Sequence, residues 1–168
     1  MIQNDDTYNF PATNNIVFAP CSRSSWHSHG GMVIIGTGGV GYYQEEGKPA
    51  QIIRKGDVVQ CPAGVRHWHG AAPDSWFSQI VIFDSHYTPA QGAASDAPVT
   101  DEEYNALVTE EVESGTQGDS LMFRQGEQPF QSPTFSGTAY LSSVLEEQNA
   151  AGAPGLHYVV FEPGVINN

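Results

Sequence analysis

The chain has 168 residues and a mass of 18.1 kDa, enough for one domain with a single core, or a domain plus a substantial arm. Only 15% of the residues are charged, while 18 Gly and 11 Pro punctuate the chain, a balance that excludes an all-helical bundle and favours strands and turns. The net charge of −13 repels a phosphate backbone or an anionic membrane surface, so neither nucleic acid nor membrane is expected as a partner.

The N-terminus carries Asp5 and Asp6 with no basic stretch. No apolar run approaches the ~20 residues of a membrane span, so a soluble, cytoplasmic protein without a signal peptide is expected. Asn15 to Pro20 holds the apolar run Ile16-Val17-Phe18, and Gly31 to Ile35 holds Met32-Val33-Ile34-Ile35 ahead of a Gly36-Thr37-Gly38-Gly39 turn cluster. Both read as short strands. Val40 to Gln44 and Gln51 to Arg54 flank Glu45-Glu46-Gly47-Lys48-Pro49, a polar hairpin connection. Asp57 to Gln60, Arg66 to Gly70 and Phe77 to Phe83 follow between Gly, Pro and Asp breaks. Seven strand candidates within about 70 residues predict a sandwich or barrel. Cys21 and Cys61 are expected as reduced, mostly buried thiols.

After Phe83 the composition changes. Residues 84–150 hold twelve acids against Arg124 alone, whereas residues 1–83 are nearly balanced. His86 to Pro98 is small, polar and linker-like. Thr100-Asp101-Glu102-Glu103 matches a capping box, with Thr100 as N-cap and Glu103 reaching back, and opens a short acidic helix over 100–112 with Tyr104, Leu107, Val108 and Val112 as its apolar stripe. Gly115 to Pro133 is loop-like, and Phe135–Leu145 and Leu156–Phe161 read as two further strands. A weak internal repeat aligns Val17-Phe18-Ala19-Pro20-Cys21 with Val160-Phe161-Glu162-Pro163-Gly164. The division is therefore a barrel core over 1–84, a linker over 85–133 and a C-terminal arm over 134–168.

Six histidines occur, and four form two His-x-His pairs, His27 with His29 and His67 with His69. On a strand, residues i and i+2 point to one face, so each pair projects two imidazoles together while Ser28 and Trp68 face away. Neutral imidazole is a ligand for Zn, Mn, Fe, Ni and Cu, and two adjacent strands can supply a facial set that leaves positions open for water or substrate. A tetrahedral structural zinc site is disfavoured, because Cys21 and Cys61 lack Cys-x-x-Cys spacing. His86 and His157 lie outside both pairs and read as surface or loop residues.

The run Trp26-His27-Ser28-His29, then Val40-Gly41-Tyr42-Tyr43-Gln44, Gly56-Asp57-Val58-Val59 and Pro62-Ala63-Gly64-Val65-Arg66-His67-Trp68-His69-Gly70-Ala71 resembles the two metal-binding motifs of a cupin. The likeness covers about residues 15–84. Within the cupins it is similar to those associated with carboxymuconolactone decarboxylases and to cupin-type hydroxynitrile lyases.

The resemblance implies an all-β cupin jelly-roll barrel with one short acidic helix and a C-terminal strand-forming arm. It implies His27, His29 and His67 as metal ligands and His69 as a catalytic pocket histidine poised near neutrality to move a proton. Where the family has a fourth ligand, Gln or Glu, Met32 stands here; where many relatives have a pocket histidine, Gln79 stands here. Met32, Gln79, Trp76 and Tyr42 are assigned to the substrate pocket.

The implied cofactor is one divalent metal, manganese first, with iron, zinc or nickel as alternatives. The implied function is a metal-dependent enzyme on a small oxygenated organic substrate, with cyanohydrin cleavage as the lyase reaction. The alternatives are a cupin dioxygenase or isomerase, or a non-catalytic small-ligand-binding cupin with a weakened metal site. The arm is expected to complete the barrel sheet across a homodimer by strand exchange, or to begin a second cupin.

Overall fold

Alternating apolar residues between Gly and Pro breaks build seven consecutive strands: β1 (Thr13–Phe18), β2 (Trp26–Ser28), β3 (Met32–Glu45), β4 (Ala50–Arg54), β5 (Val58–Cys61), β6 (His67–Ala71) and β7 (Phe77–Phe83). The computed structural model describes residues 11–84, 94–112, 121–130, 132–133 and 135–167. The N-terminal acids and His86 lie outside the described residues. All seven strands pair antiparallel, and β3 is the partner of four of the other six. Its first half pairs with β5 and β7, and β1 joins the far side of β7. Its second half pairs with β4 and β6, and β6 continues to β2.

The Gly36–Gly39 cluster, expected as a turn, is instead a bulge inside this one 14-residue strand, where the register shifts between Gly36 and Gly38. Gly39 has φ +70, and a Cβ there would run into the backbone of Trp76, so only glycine lets the strand bend across to the second sheet. The extra residue also reverses parity. Before the bulge, Met32 and Ile34 face inward and Val33 and Ile35 outward; after it, Tyr43 faces inward and Tyr42 outward.

Three apolar clusters follow from this alternation. Inside the barrel, Met32, Ile34, Tyr43, Ile53, Val59, Cys61, Ala71, Phe77 and Val81 pack together, with Phe18 and Phe83 against them. On the outer face of the β4–β6 side, Trp26 and Trp68 pack with Val99 and Tyr104. Tyr104 belongs to α1 (Asp101–Asn105), and its hydroxyl donates to the Ala71 carbonyl at 2.6 Å.

The capping box forms as expected, Thr100 Oγ1 accepting from the Glu103 amide and Glu103 reaching back to the Thr100 amide. The helix is shorter than the expected 100–112. Past its C-cap Ala106, the β-branched Val108-Thr109 run leaves the helix and β9 (Thr109–Glu111) pairs parallel with β4. Together with β8 (Ala94–Ala97), which pairs with β2, it caps two edges of the barrel. Part of the expected linker is thus barrel sheet.

The arm forms its own sheets. β10 (Pro129–Phe130), β12 (Ala139–Leu145) and β13 (Leu156–Phe161) make one, and β11 (Phe135–Ser136) pairs with β14 (Ile166–Asn167). Within this chain the arm covers a face of the barrel, not an edge. Leu145, Ala151 and Ala153 pack on Val33 and Ile35, and the Ala150 amide donates to Gln60 Oε1 at 3.0 Å. The expected strand Phe135–Leu145 is broken at Gly137, and the side chain of Phe135 lies outside the described residues. Among the described residues no helix is long and apolar enough to cross a membrane.

Both cysteines are free. Cys61 is buried, but Cys21, expected to be mostly buried, is exposed on the turn after β1 with φ 65. Pro20 and Cys21 form that turn, which puts the thiol outside the packed interior.

Candidate metal centre

His27 on β2 and His67 on β6 are directly opposite each other across an antiparallel pair, with ring centroids 4.3 Å apart. His29, just beyond β2, brings its ring to 5.3 Å from His27 and 4.7 Å from His67. One ligating nitrogen from each of the three lies within 4.8 Å of the other two. The geometry follows from alternation. Trp26 and Trp68 go to the outer cluster, so His27 and the His67/His69 pair go inward.

Each of the three rings is oriented by a backbone carbonyl. His27 Nδ1 lies 2.7 Å from the Ser25 carbonyl, His29 Nδ1 2.5 Å from that of Gly30 and His67 Nδ1 2.9 Å from that of Val65. A carbonyl only accepts, so Nδ1 carries the proton and Nε2 keeps its lone pair for coordination. Burial, with the neighbouring imidazoles adding to it, lowers the pKa of His67 to about 3. Burial also lowers that of His29. Neutral, convergent imidazoles are the form a divalent metal needs, and the residues present fit such an ion. No carboxylate belongs to the group among the described residues.

His69 stands beside the triad, its ring 5.6 Å from His27 and stacked at 6.1 Å from His67. It does not belong to the group of converging nitrogens. The expectation that it is poised near neutrality does not hold, since burial takes its pKa well below the ordinary value and keeps the ring neutral. Its Nδ1 meets Gln79 Nε2 at 3.0 Å. Gln79 projects inward from β7 with no exposure at all, and among the described residues its Oε1 has no hydrogen-bond partner.

Of the other pocket residues read from the sequence, Met32 lies in the inner core at 1% exposure, paired across the ladder with Cys61. Tyr42 and Trp76 are not in the interior. Tyr42 packs outward against Tyr104, its ring at 6.1 Å, because the β3 bulge reverses the alternation. Trp76 is 62% exposed at the start of β7, where its carbonyl ties to Val40. In place of Tyr42 the structure brings Tyr43 to the centre, 5.5 Å from the His67 ring, and Phe18 and Phe83 stand edge-on to His69 and His29 at 5.6 and 5.4 Å. Cys61 Sγ lies 3.3 Å from His67 Nδ1, and burial pushes its thiol up to about 11, which keeps it protonated. His157 is exposed on β13.

A barrel of this topology with a cluster of histidines from paired motifs is the architecture of a cupin, and comparison with known proteins agrees. An (R)-mandelonitrile lyase from Granulicella tundricola is 39% identical over 93 residues, 54% of this chain and 68% of that protein. The crystal structure of a cupin-like protein from Thermotoga maritima matches with TM-score 0.57 and 41% identity, over 64% of this chain and 80% of that one. A Cupin 2 conserved barrel domain protein from Salinispora arenicola is 26% identical with TM-score 0.44, over 48% of this chain and 69% of its own. No protein-family model matches the chain. The chain belongs to the cupin superfamily.

Proposed function

We propose that this cupin is a metal-dependent lyase acting on a small oxygenated molecule, with cyanohydrin cleavage as its reaction. The observation that carries the reading is the His27/His29/His67 group, three imidazoles tautomerically fixed by backbone carbonyls with nitrogens converging within 4.8 Å. The 39% identity to an (R)-mandelonitrile lyase supports the choice of reaction. These three histidines would hold one divalent ion, manganese first, which supplies Lewis acidity to a hydroxyl or carbonyl oxygen.

In such a cleavage the bond between the carbinol carbon and the nitrile carbon breaks, its electron pair leaves with cyanide, and the hydroxyl proton ends on that cyanide. The products are an aldehyde and hydrogen cyanide. His69 is the group that meets the departing cyanide, and Phe18, Tyr43 and Phe83 keep bulk water from it. Among the described residues β12 is the one strand paired with β13, and the apolar Leu141 and Val159 exposed on this sheet support a homodimer as the working assembly.

The test is release of benzaldehyde from (R)-mandelonitrile by manganese-loaded protein, followed by absorbance. Release above the buffer rate, lost in His29→Ala, is the expected result. A preparation holding one metal per chain and giving no such release overturns it. That outcome favours a second reading, a non-catalytic small-ligand-binding cupin, for which a group of three histidines without a carboxylate among the described residues speaks.

A further inference from the structure

The four clustered histidines differ in what their Nδ1 atoms meet. Those of His27, His29 and His67 face carbonyl oxygens. That of His69 faces the side-chain amide nitrogen of Gln79 at 3.0 Å. An amide N–H only donates, so the nitrogen it meets must offer a lone pair, and a neutral imidazole then carries its proton on Nε2, on the far side of the ring. Both partners are buried, His69 at 6% and Gln79 at 0% exposure. The opposite tautomer would set one N–H against another where no water can separate them.

The register of β7 keeps this contact in place. Gln79 is held between Ile16 of β1 and Gly36 of β3, and its Oε1 finds no protein donor, so among the described residues His69 is the one polar partner of the amide. We infer that Gln79 fixes His69 in the Nε2–H form, so that His69 meets a ligand at the histidine centre as a hydrogen-bond donor, and the ligand offers it an acceptor such as a carbonyl, carboxylate or nitrile.

Gln79 is in this sense a positioning residue. With its Nδ1 lone pair engaged and its Nε2 protonated, His69 is not the base that takes the hydroxyl proton. Its part is to bind and stabilise the acceptor end of the ligand. The consequence for the ligand rests on the proposed metal reading; the tautomer itself does not.

Long-range proton–nitrogen correlation NMR of the histidine-labelled full chain tests it, with zinc content measured on the same samples. In wild type, His69 should show the pattern of a neutral ring protonated at Nε2. In Gln79→Leu, which keeps the side-chain volume and removes the donor, the two ring nitrogens should move toward each other as both tautomers become populated. A wild-type His69 protonated at Nδ1 overturns the inference even if the variant does not fold. A variant that keeps the pure Nε2–H pattern overturns the role of Gln79. Failure to retain zinc would count against the metal reading alone and would leave the tautomer result standing.

Discussion

Trp68 Nε1 donates to Gln44 Oε1 at 2.8 Å across the β3–β6 pair. This bond and the outer cluster around Trp68 hold the middle residue of His67-Trp68-His69 outside the barrel, and strand alternation then turns both histidines inward. Gln44→Leu leaves the fully buried indole N–H without its partner and should cost about 1–3 kcal/mol. Trp68→Ala also removes the packing and should cost about 3–5 kcal/mol, with metal retention falling in parallel. Urea midpoints and elemental analysis on the same preparations check both.

Metal content should separate the two histidine roles. His29→Ala removes one of three converging nitrogens and should abolish stoichiometric binding of manganese or zinc. His69→Ala leaves the triad intact and should keep it. Elemental analysis after metal loading and desalting reads the difference. Equal loss in both variants would make His69 a ligand.

Stability of the metal-free protein should fall on acidification. The unfolded chain protonates its histidines near pH 6.5, whereas folded His67 resists protonation down to about 3 and His29 and His69 are also lowered. Below pH 6.5 the unfolded state therefore binds more protons, and His67 and His69 each subtract up to about 1.4 kcal/mol per pH unit until the folded pKa is reached, with the partly exposed His29 adding less because solvent screens it. Above about pH 7 this contribution is flat. Urea midpoints measured between pH 4 and 8 should show the fall, and it should be shallower in His67→Asn, where His29 and His69 still contribute.

The docking of the arm hangs on a missing side chain. Gly31 lies directly under the Ala151 backbone, and a Cβ there would overlap the Ala151 carbonyl. Gly31→Ala should displace that segment, expose Val33 and Ile35, and cost about 1–3 kcal/mol. Deleting 134–168 should expose the same face and give insoluble or metal-poor protein. Solubility, thermal melts and dye binding to exposed apolar surface report both changes.

Much of the barrel is legible in the sequence because its strands alternate cleanly between Gly and Pro breaks, and the inward aim of His27, His67 and His69 follows from the tryptophans between and beside them. Tyr42 and Tyr43 show where such reading stops. Counting by twos from Met32 puts Tyr42 inside, and only the bulge at Gly36–Gly38, which a run of glycines does not distinguish from a turn, puts Tyr43 there. Val108 to Glu111 shows another limit. Val108 and Thr109 weaken its helix-like continuation from the capping box locally, but the parallel pairing with β4 that settles it is a tertiary contact. The contact of Gln79 with His69 is likewise set by β3, which carries β7 on one half and β6 on the other, and not by any spacing between the two residues.

β3 borders β4, β5, β6 and β7, and it is one covalent strand through both halves of the barrel. Neither half can peel away without stripping partners from that strand, so the barrel should open as one cooperative unit, with the amides of β3 exchanging with solvent only on its global unfolding. The arm, whose ladders do not join that strand, should exchange as a separate and less protected unit. His67 and His69, on β6 beside that strand, should therefore sit in the part of the molecule that opens last.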